Sequence, residues 1–254
     1  MRLSRRVQSL TESSTLAASA RAKALQAKGV DVVGFGAGEP DFSTPAPICR
    51  AAIEALESGM THYVATAGAP AARRTIAEKL ERENGVPCAA EDVVITVGAK
   101  HAIYLVLQCL LDPPREGEAA SEVILPTPAW VSYRPLVELA GGAVVEVPSS
   151  LDSGFRVDPQ RIAAALTPRT AAIVLNSPSN PCGTVMSPDD IRALEVVLGD
   201  RPDVVVISDE IYEKLIYPEV EPGVQCLSPG SLAGLRERTI TINGMSKAYA
   251  MTGW

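Results

Sequence analysis

Five short stretches carry side chains that could do chemistry. In chain order they are "VGAK" (97–100), "PAW" (128–130), "NSPSNPCG" (176–183), "SDEIY" (208–212) and "INGMSKAYAMTGW" (242–254). Gly98, Ala99 and Lys100 fall between a β-rich run and a helical one. Small residues there expose backbone N–H groups, and a helix N-terminus favours an anion such as phosphate. A tight strand-to-helix turn would use small residues as well. Asn180 follows the apolar run "TAAIVL" inside a loop that two prolines keep from being helical, so its amide can face a ligand or merely close a turn. Asp209 stands one residue beyond "VVVIS". A carboxylate at a buried strand end needs a partner, either a capped helix or a protonated heterocyclic nitrogen. Lys247, flanked by small residues after "TITING", would by itself be a surface lysine. Together the five, in this order and each at the end of an apolar run, are unlikely by chance.

The elements that must hold these residues can be read from hydrophobic period. From residue 92 onward, short Val/Ile-rich runs alternate with helical patterns. "DVVITVG", "EVILP", "AVVEV", "TAAIVLN", "DVVVISDE" and "TITING" read as strands. "AKHAIYLVLQCLL" has apolar residues at helical spacing (Ile103, Val106, Leu107, Leu110, Leu111), and "AWVSYRPLVELAGG", "DPQRIAAAL" and "SPDDIRALEVVLG" also read as helices. Ser187 and Pro188 supply a cap and a first helical residue. Near-continuous apolar strands between helices predict an α/β fold, with a mostly parallel sheet covered on both faces. In such sheets ligands bind beyond the carboxyl ends of the strands, where the five stretches lie. Upstream, "TLAASARAKALQAKG", "APICRAAIEALESG" and "TIAEKLEREN" read as helices, and "DVVGFGAGEPDF" as a strand entering a Gly/Pro turn.

Composition narrows the function classes. The 254 residues are 46% hydrophobic, enough for a substantial core, and the formal charge of −7 offers no basic footprint for nucleic acid. Five scattered cysteines (Cys49, Cys88, Cys109, Cys182, Cys226) without a CxxC pair predict reduced, mostly buried thiols in a cytoplasmic protein. Two histidines, His62 and His101, lack ligand spacing, so no metal site is expected. Neither a signal-like h-region nor an apolar run near 18 residues is present, so no membrane association is expected.

The ordered set resembles a class I aminotransferase of pyridoxal-phosphate fold type I, in the aspartate aminotransferase-like branch. The resemblance runs from "LSRRVQ" through "GAGEPDF" and "SDEIY" to "SKAYAMTGW", essentially the whole chain. It implies transamination between an amino acid and a 2-oxo acid, with pyridoxal phosphate as cofactor. Lys247 would hold the cofactor as a Schiff base and then move the proton between Cα and the cofactor. Asp209 would pair with the pyridinium nitrogen, and Tyr212 and Asn180 with the phenolic oxygen. Trp130 would stack on the ring. Gly98, Ala99 and Lys100 would cradle the phosphate, with Ser246 beside them. Tyr63 would reach the phosphate from the second subunit of a homodimer, and Gly38 would offer its N–H to the substrate carboxylate, near Trp130 and Asn180.

This sequence also departs from the family pattern. Gly244 stands where many relatives have a serine, and Cys182 replaces the threonine of "NPTG". Thr11 occupies a position that is basic in some members, so the substrate side chain is not inferable. The resemblance also implies that residues 1–45 belong to a small domain and 46–254 to an incomplete large cofactor-binding domain. The chain thus reads as an N-terminal fragment, with impaired activity expected of it alone. Alternatives on the same fold are a pyridoxal-phosphate lyase or synthase, or a non-catalytic scaffold.

Overall fold

Apolar side chains alternate along each strand, and that alternation builds two cores. The computed structural model describes residues 3–8, 14–34, 36, 38–219 and 223–254. Within them the strands are β1 (Glu122–Thr127), β2 (Ala143–Pro148), β3 (Thr170–Asn176), β4 (Val205–Asp209) and β5 (Thr239–Ile242). The helices are α1 (Arg5–Gln8), α2 (Ser14–Gln26), α3 (Ala46–Glu57), α4 (Pro70–Lys79), α5 (Ala99–Leu110), α6 (Tyr133–Leu139), α7 (Pro159–Ala165), α8 (Pro188–Val197) and α9 (Met245–Ala248).

Val123, Leu125, Ala172, Val174 and Ile207 point to one face of the sheet, where Ile103 and Leu107 of α5 and Tyr133 and Val137 of α6 cover them. Ile124, Ile173, Leu175 and Val206 point to the other, under Ile162 of α7 and Ile191 and Leu194 of α8. The period of two in the strands and the 3.6 period in the helices therefore meet at both faces. Local signals start the helices: Ser187 and Asp190 exchange side-chain and backbone hydrogen bonds in a capping box ahead of α8, and Asp158 caps α7 through Gln160 N–H.

All strand pairs are parallel, in the order β2-β1-β3-β4-β5. The chain leaves β1 toward one side for β2, then crosses back to place β3 on the other side of β1. This reversal opens a crevice at the carboxyl ends of β1 and β3, the place where doubly wound sheets bind ligands. Register then sets the level of the polar residues: Asn176 lies opposite Asp209, and Asp209 opposite Ile242.

Three expectations need correction. Residues 93–96 of "DVVITVG" join no strand among the described residues, and Val97 lies in a bend. Ile95 N–H donates instead to Ala67 O at 2.9 Å, and Val97 is 88% exposed. High β-propensity does not make a strand without a neighbour to complete the ladder. The described part of "DVVGFGAGEPDF" likewise holds no strand. Finally, none of the five free cysteines is fully buried. Four are half-buried, and Cys109 is exposed because it lies off the Ile103–Leu107 stripe of α5.

Candidate active site

The site grows from the ends of β3 and β4. Asp209, the last residue of β4, is only 3% exposed. One carboxylate oxygen accepts the Tyr133 hydroxyl at 2.6 Å, and the other accepts Ile211 N–H at 3.2 Å. Burial pushes the Asp209 carboxyl above its usual range, while these two donors pull it back. No cation enters this balance. Tyr133 is buried beside that charge, so its own phenol is pushed far up, by desolvation first and by Asp209 second.

Asn176 ties the two strand ends together. Its Nδ2 donates to Asp209 O at 2.9 Å, and its Oδ1 accepts Asn180 N–H at 2.8 Å. The loop then closes on itself through Gly183 N–H to Ser179 O at 2.9 Å, with Gly183 at a φ of +71°, a conformation that glycine adopts without strain. This geometry aims the Asn180 amide at Tyr212, whose hydroxyl it meets at 3.1 Å. Desolvation raises the Tyr212 phenol, Asn180 lowers it, and Asp209 raises it again.

Above this pair lies the loop after β1. Trp130 packs edge-on against Tyr133, with ring centroids 5.3 Å apart and planes at 86°, and Lys100 Nζ sits 5.0 Å from the Trp130 ring centroid. Lys100 belongs to the first turn of α5, which begins after Gly98 at a φ of +96° and has no side-chain cap. Gly98, Ala99 and Lys100 thus open a helix whose first N–H groups no side chain caps, an arrangement that suits an anion.

On the far side, Glu210 N–H donates to Ile242 O at 2.8 Å, which fixes the β4 end against the β5 end. The buried Glu210 carboxylate accepts Ser208 Oγ (2.9 Å), Ser228 Oγ (2.6 Å) and Asn84 Nδ2 (3.1 Å) and so anchors the turn that carries Tyr212. Beyond β5, α9 carries Ser246 and Lys247, and Lys247 Nζ donates to Gly38 O at 2.6 Å. A Cβ added to Gly244 would lie 2.7 Å from Ile211 Cδ1, so a serine there requires that side chain to shift.

Hydrogen bonds and ring contacts therefore connect Lys100, Trp130, Asn180, Asp209 and Tyr212, and bring Lys247 to Gly38. Tyr63 is fully exposed and is not drawn into this network. Thr11 lies outside the described residues. Sequence reasoning missed Tyr133 and Asn176. Tyr133 reads as a plain core aromatic of α6, although its position three residues after Trp130 was an available signal.

A doubly wound parallel sheet with a buried acid, an indole and a lysine near its strand ends has the architecture of an α/β protein that binds ligands there. Residues 30–254 match the family model "Aminotransferase class I and II", and the chain belongs to that family. It is 47% identical over 253 residues to a probable aspartate/prephenate aminotransferase of Thermus aquaticus, and 46% identical over 256 residues to an aspartate aminotransferase of Geobacillus stearothermophilus. These matches cover 99% and 100% of this chain, and it spans 62% of the length of either relative. The aspartate aminotransferase of Thermus thermophilus solved with maleate superposes with a TM-score of 0.92 at 45% identity, over 100% of this chain and 63% of that one. Enzymes of this family depend on pyridoxal phosphate. The residues here suit such a group: a buried carboxylate with no cationic partner fits a protonated ring nitrogen, an indole fits a ring face, and an uncapped helix N-terminus fits a phosphate. Among the described residues no helix is long and apolar enough to cross a membrane.

Proposed function

We propose that this protein serves a transamination between an amino acid and a 2-oxo acid, with pyridoxal phosphate held on Lys247. The observation that carries the reading is Asp209, a buried acid to which, among the described residues, its surroundings supply two hydrogen-bond donors and no positive charge. When bound, pyridoxal phosphate supplies a protonated heterocycle that takes up the electron pair left as a Cα–H bond breaks. Asp209 would hold the proton on the ring nitrogen, and the Tyr133 O–H favours the ionised form of Asp209 against the burial that opposes it. Tyr212 and Asn180, already 3.1 Å apart, serve the phenolic oxygen. Trp130 would cover one face of the ring and exclude water from it. Gly98, Ala99 and Lys100 take the phosphate, with Ser246 nearby. Lys247 would hold the cofactor through its amine, and that amine is the group that would move the proton at the substrate Cα.

Gly38, beside Lys247, offers its N–H to the substrate carboxylate. A second copy of the chain supplies Tyr63, which its full exposure leaves accessible to a partner. Residues 1–45 then belong to a small domain and residues 46–254 to a large one. The relatives' names point to a dicarboxylic amino acid as substrate, and maleate serves as a probe of that carboxylate site.

The test is borohydride treatment of the cofactor-loaded protein followed by peptide mapping. The adduct is expected on Lys247, and Lys247→Ala is expected to abolish it together with turnover. An adduct on Lys100 would refute the assignment. Addition of an amino acid alone should leave pyridoxamine phosphate on the protein; release of product without it would indicate a lyase.

A further inference from the structure

The motif "MTGW" is not needed by any step above, yet its side chains are engaged. Thr44 Oγ1 donates to Ala250 O at 2.5 Å and accepts Trp254 Nε1–H at 2.9 Å, which uses the hydroxyl once in each sense. Thr252 Oγ1 donates to the Glu39 carboxylate. Lys247 Nζ to Gly38 O completes a row of four bonds between residues 38–44 and residues 247–254. More than 200 residues separate the partners in sequence. Ala250 reaches its place with a φ of +51°, which turns its carbonyl toward Thr44.

From this geometry we infer that Thr44, Thr252 and Trp254 form a latch that fastens residues 38–44 to the lysine-bearing loop and so positions Gly38. They are positioning residues. The substrate's carboxylate is taken by Gly38, on the functional reading above, and the latch keeps that N–H next to Lys247. The segment has few other ties. Phe42 is 79% exposed, so apolar burial does not hold it, and the side-chain bonds do.

The binding-competent fraction of such a segment sets its apparent affinity. Losing one net hydrogen bond shifts the latched–unlatched balance by about fivefold. Thermolysin cuts on the amino side of bulky apolar residues, and cleavage before Phe42 requires the segment to leave the latch. Its rate follows the unlatched population when opening is fast. In the chain without cofactor, Thr252→Val and Trp254→Phe should each speed that cut about fivefold. Thr252→Ser, which restores the hydroxyl, should cut at the parent rate. Parent-like cleavage in both Thr252→Val and Trp254→Phe would overturn the latch.

In the cofactor-loaded protein, the double variant should bind maleate at least threefold more weakly with unchanged cofactor affinity. Cofactor loosening in step with maleate would overturn the assignment to Gly38, because the latch would then serve the lysine loop alone. A parent protein in which borohydride labels no Lys247 refutes the transamination reading instead. The thermolysin arm is independent of that result, so the two failures are distinguishable.

Discussion

Tyr133→Phe isolates one hydrogen bond in the site. The substitution keeps the ring, its edge-on contact with Trp130 and its place in the core, and it removes only the O–H that lies 2.6 Å from Asp209. Among the described residues, the Asp209 carboxylate then keeps Ile211 N–H at 3.2 Å as its one remaining donor. A hydrogen bond to a charged, buried group contributes about 1.5–3 kcal/mol, against about 0.5–1.5 kcal/mol for one between neutral groups. The sign with pH follows from Asp209 itself. Burial raises its carboxyl above the ordinary value of 3.8, so the folded state holds a proton more readily than the unfolded chain. Stability associated with that group is therefore fully present below the ordinary value and is lost as pH rises through the folded one.

Removing Tyr133 O–H takes away a donor that lowers the folded value, so the loss at neutral pH deepens. At low pH, with the carboxyl protonated, the same substitution removes only a neutral bond. Thermal melts of the cofactor-free protein check this. At about 2–4 °C per kcal/mol for a chain of this size, the variant should melt about 3–12 °C below the parent at pH 7. The deficit should be about half that near pH 4. Equal deficits at both pH values, or none at pH 7, would refute the claim that the Tyr133 hydrogen bond favours the ionised form of Asp209.

Two further outcomes bear on the site and its frame. Asp209→Ala should retain part of the cofactor but lose about a hundredfold or more in turnover, since stabilising groups aimed at developing charge are worth that much. Asp209→Glu should lose less, and near-normal turnover in the alanine variant would reduce Asp209 to a cap for Ile211 N–H. Ala250→Gly should raise stability by about 0.5–1 kcal/mol in urea titration, because Ala250 follows α9 in a left-handed conformation that suits glycine. A loss of stability there would mean that the Ala250 methyl packs usefully.

Much of the site was legible because it obeys local rules. Asn180, Asp209 and Lys247 each follow an apolar run, and a run of that kind ends where a parallel sheet presents its ligand. Ser187 and Pro188 announced α8 through backbone chemistry that needs no distant partner. "DVVITVG" shows where local reading stops. Its Val and Ile content is that of a strand, but a ladder needs a neighbour, and propensity carries no information about one.

What the chain's own residues determine, then, is element type, the two apolar faces of the sheet and the polar residues at its carboxyl ends, because burial and capping act over a few residues. Tertiary structure alone decided the strand order β2-β1-β3-β4-β5 and the register that levels Asn176 with Asp209. It also decided the meeting of Tyr133 with Asp209 across 76 positions and of Thr44 with Trp254 across 210. Such pairs are fixed by how layers pack, and a hydroxyl in the sequence does not name the acceptor that packing will bring to it.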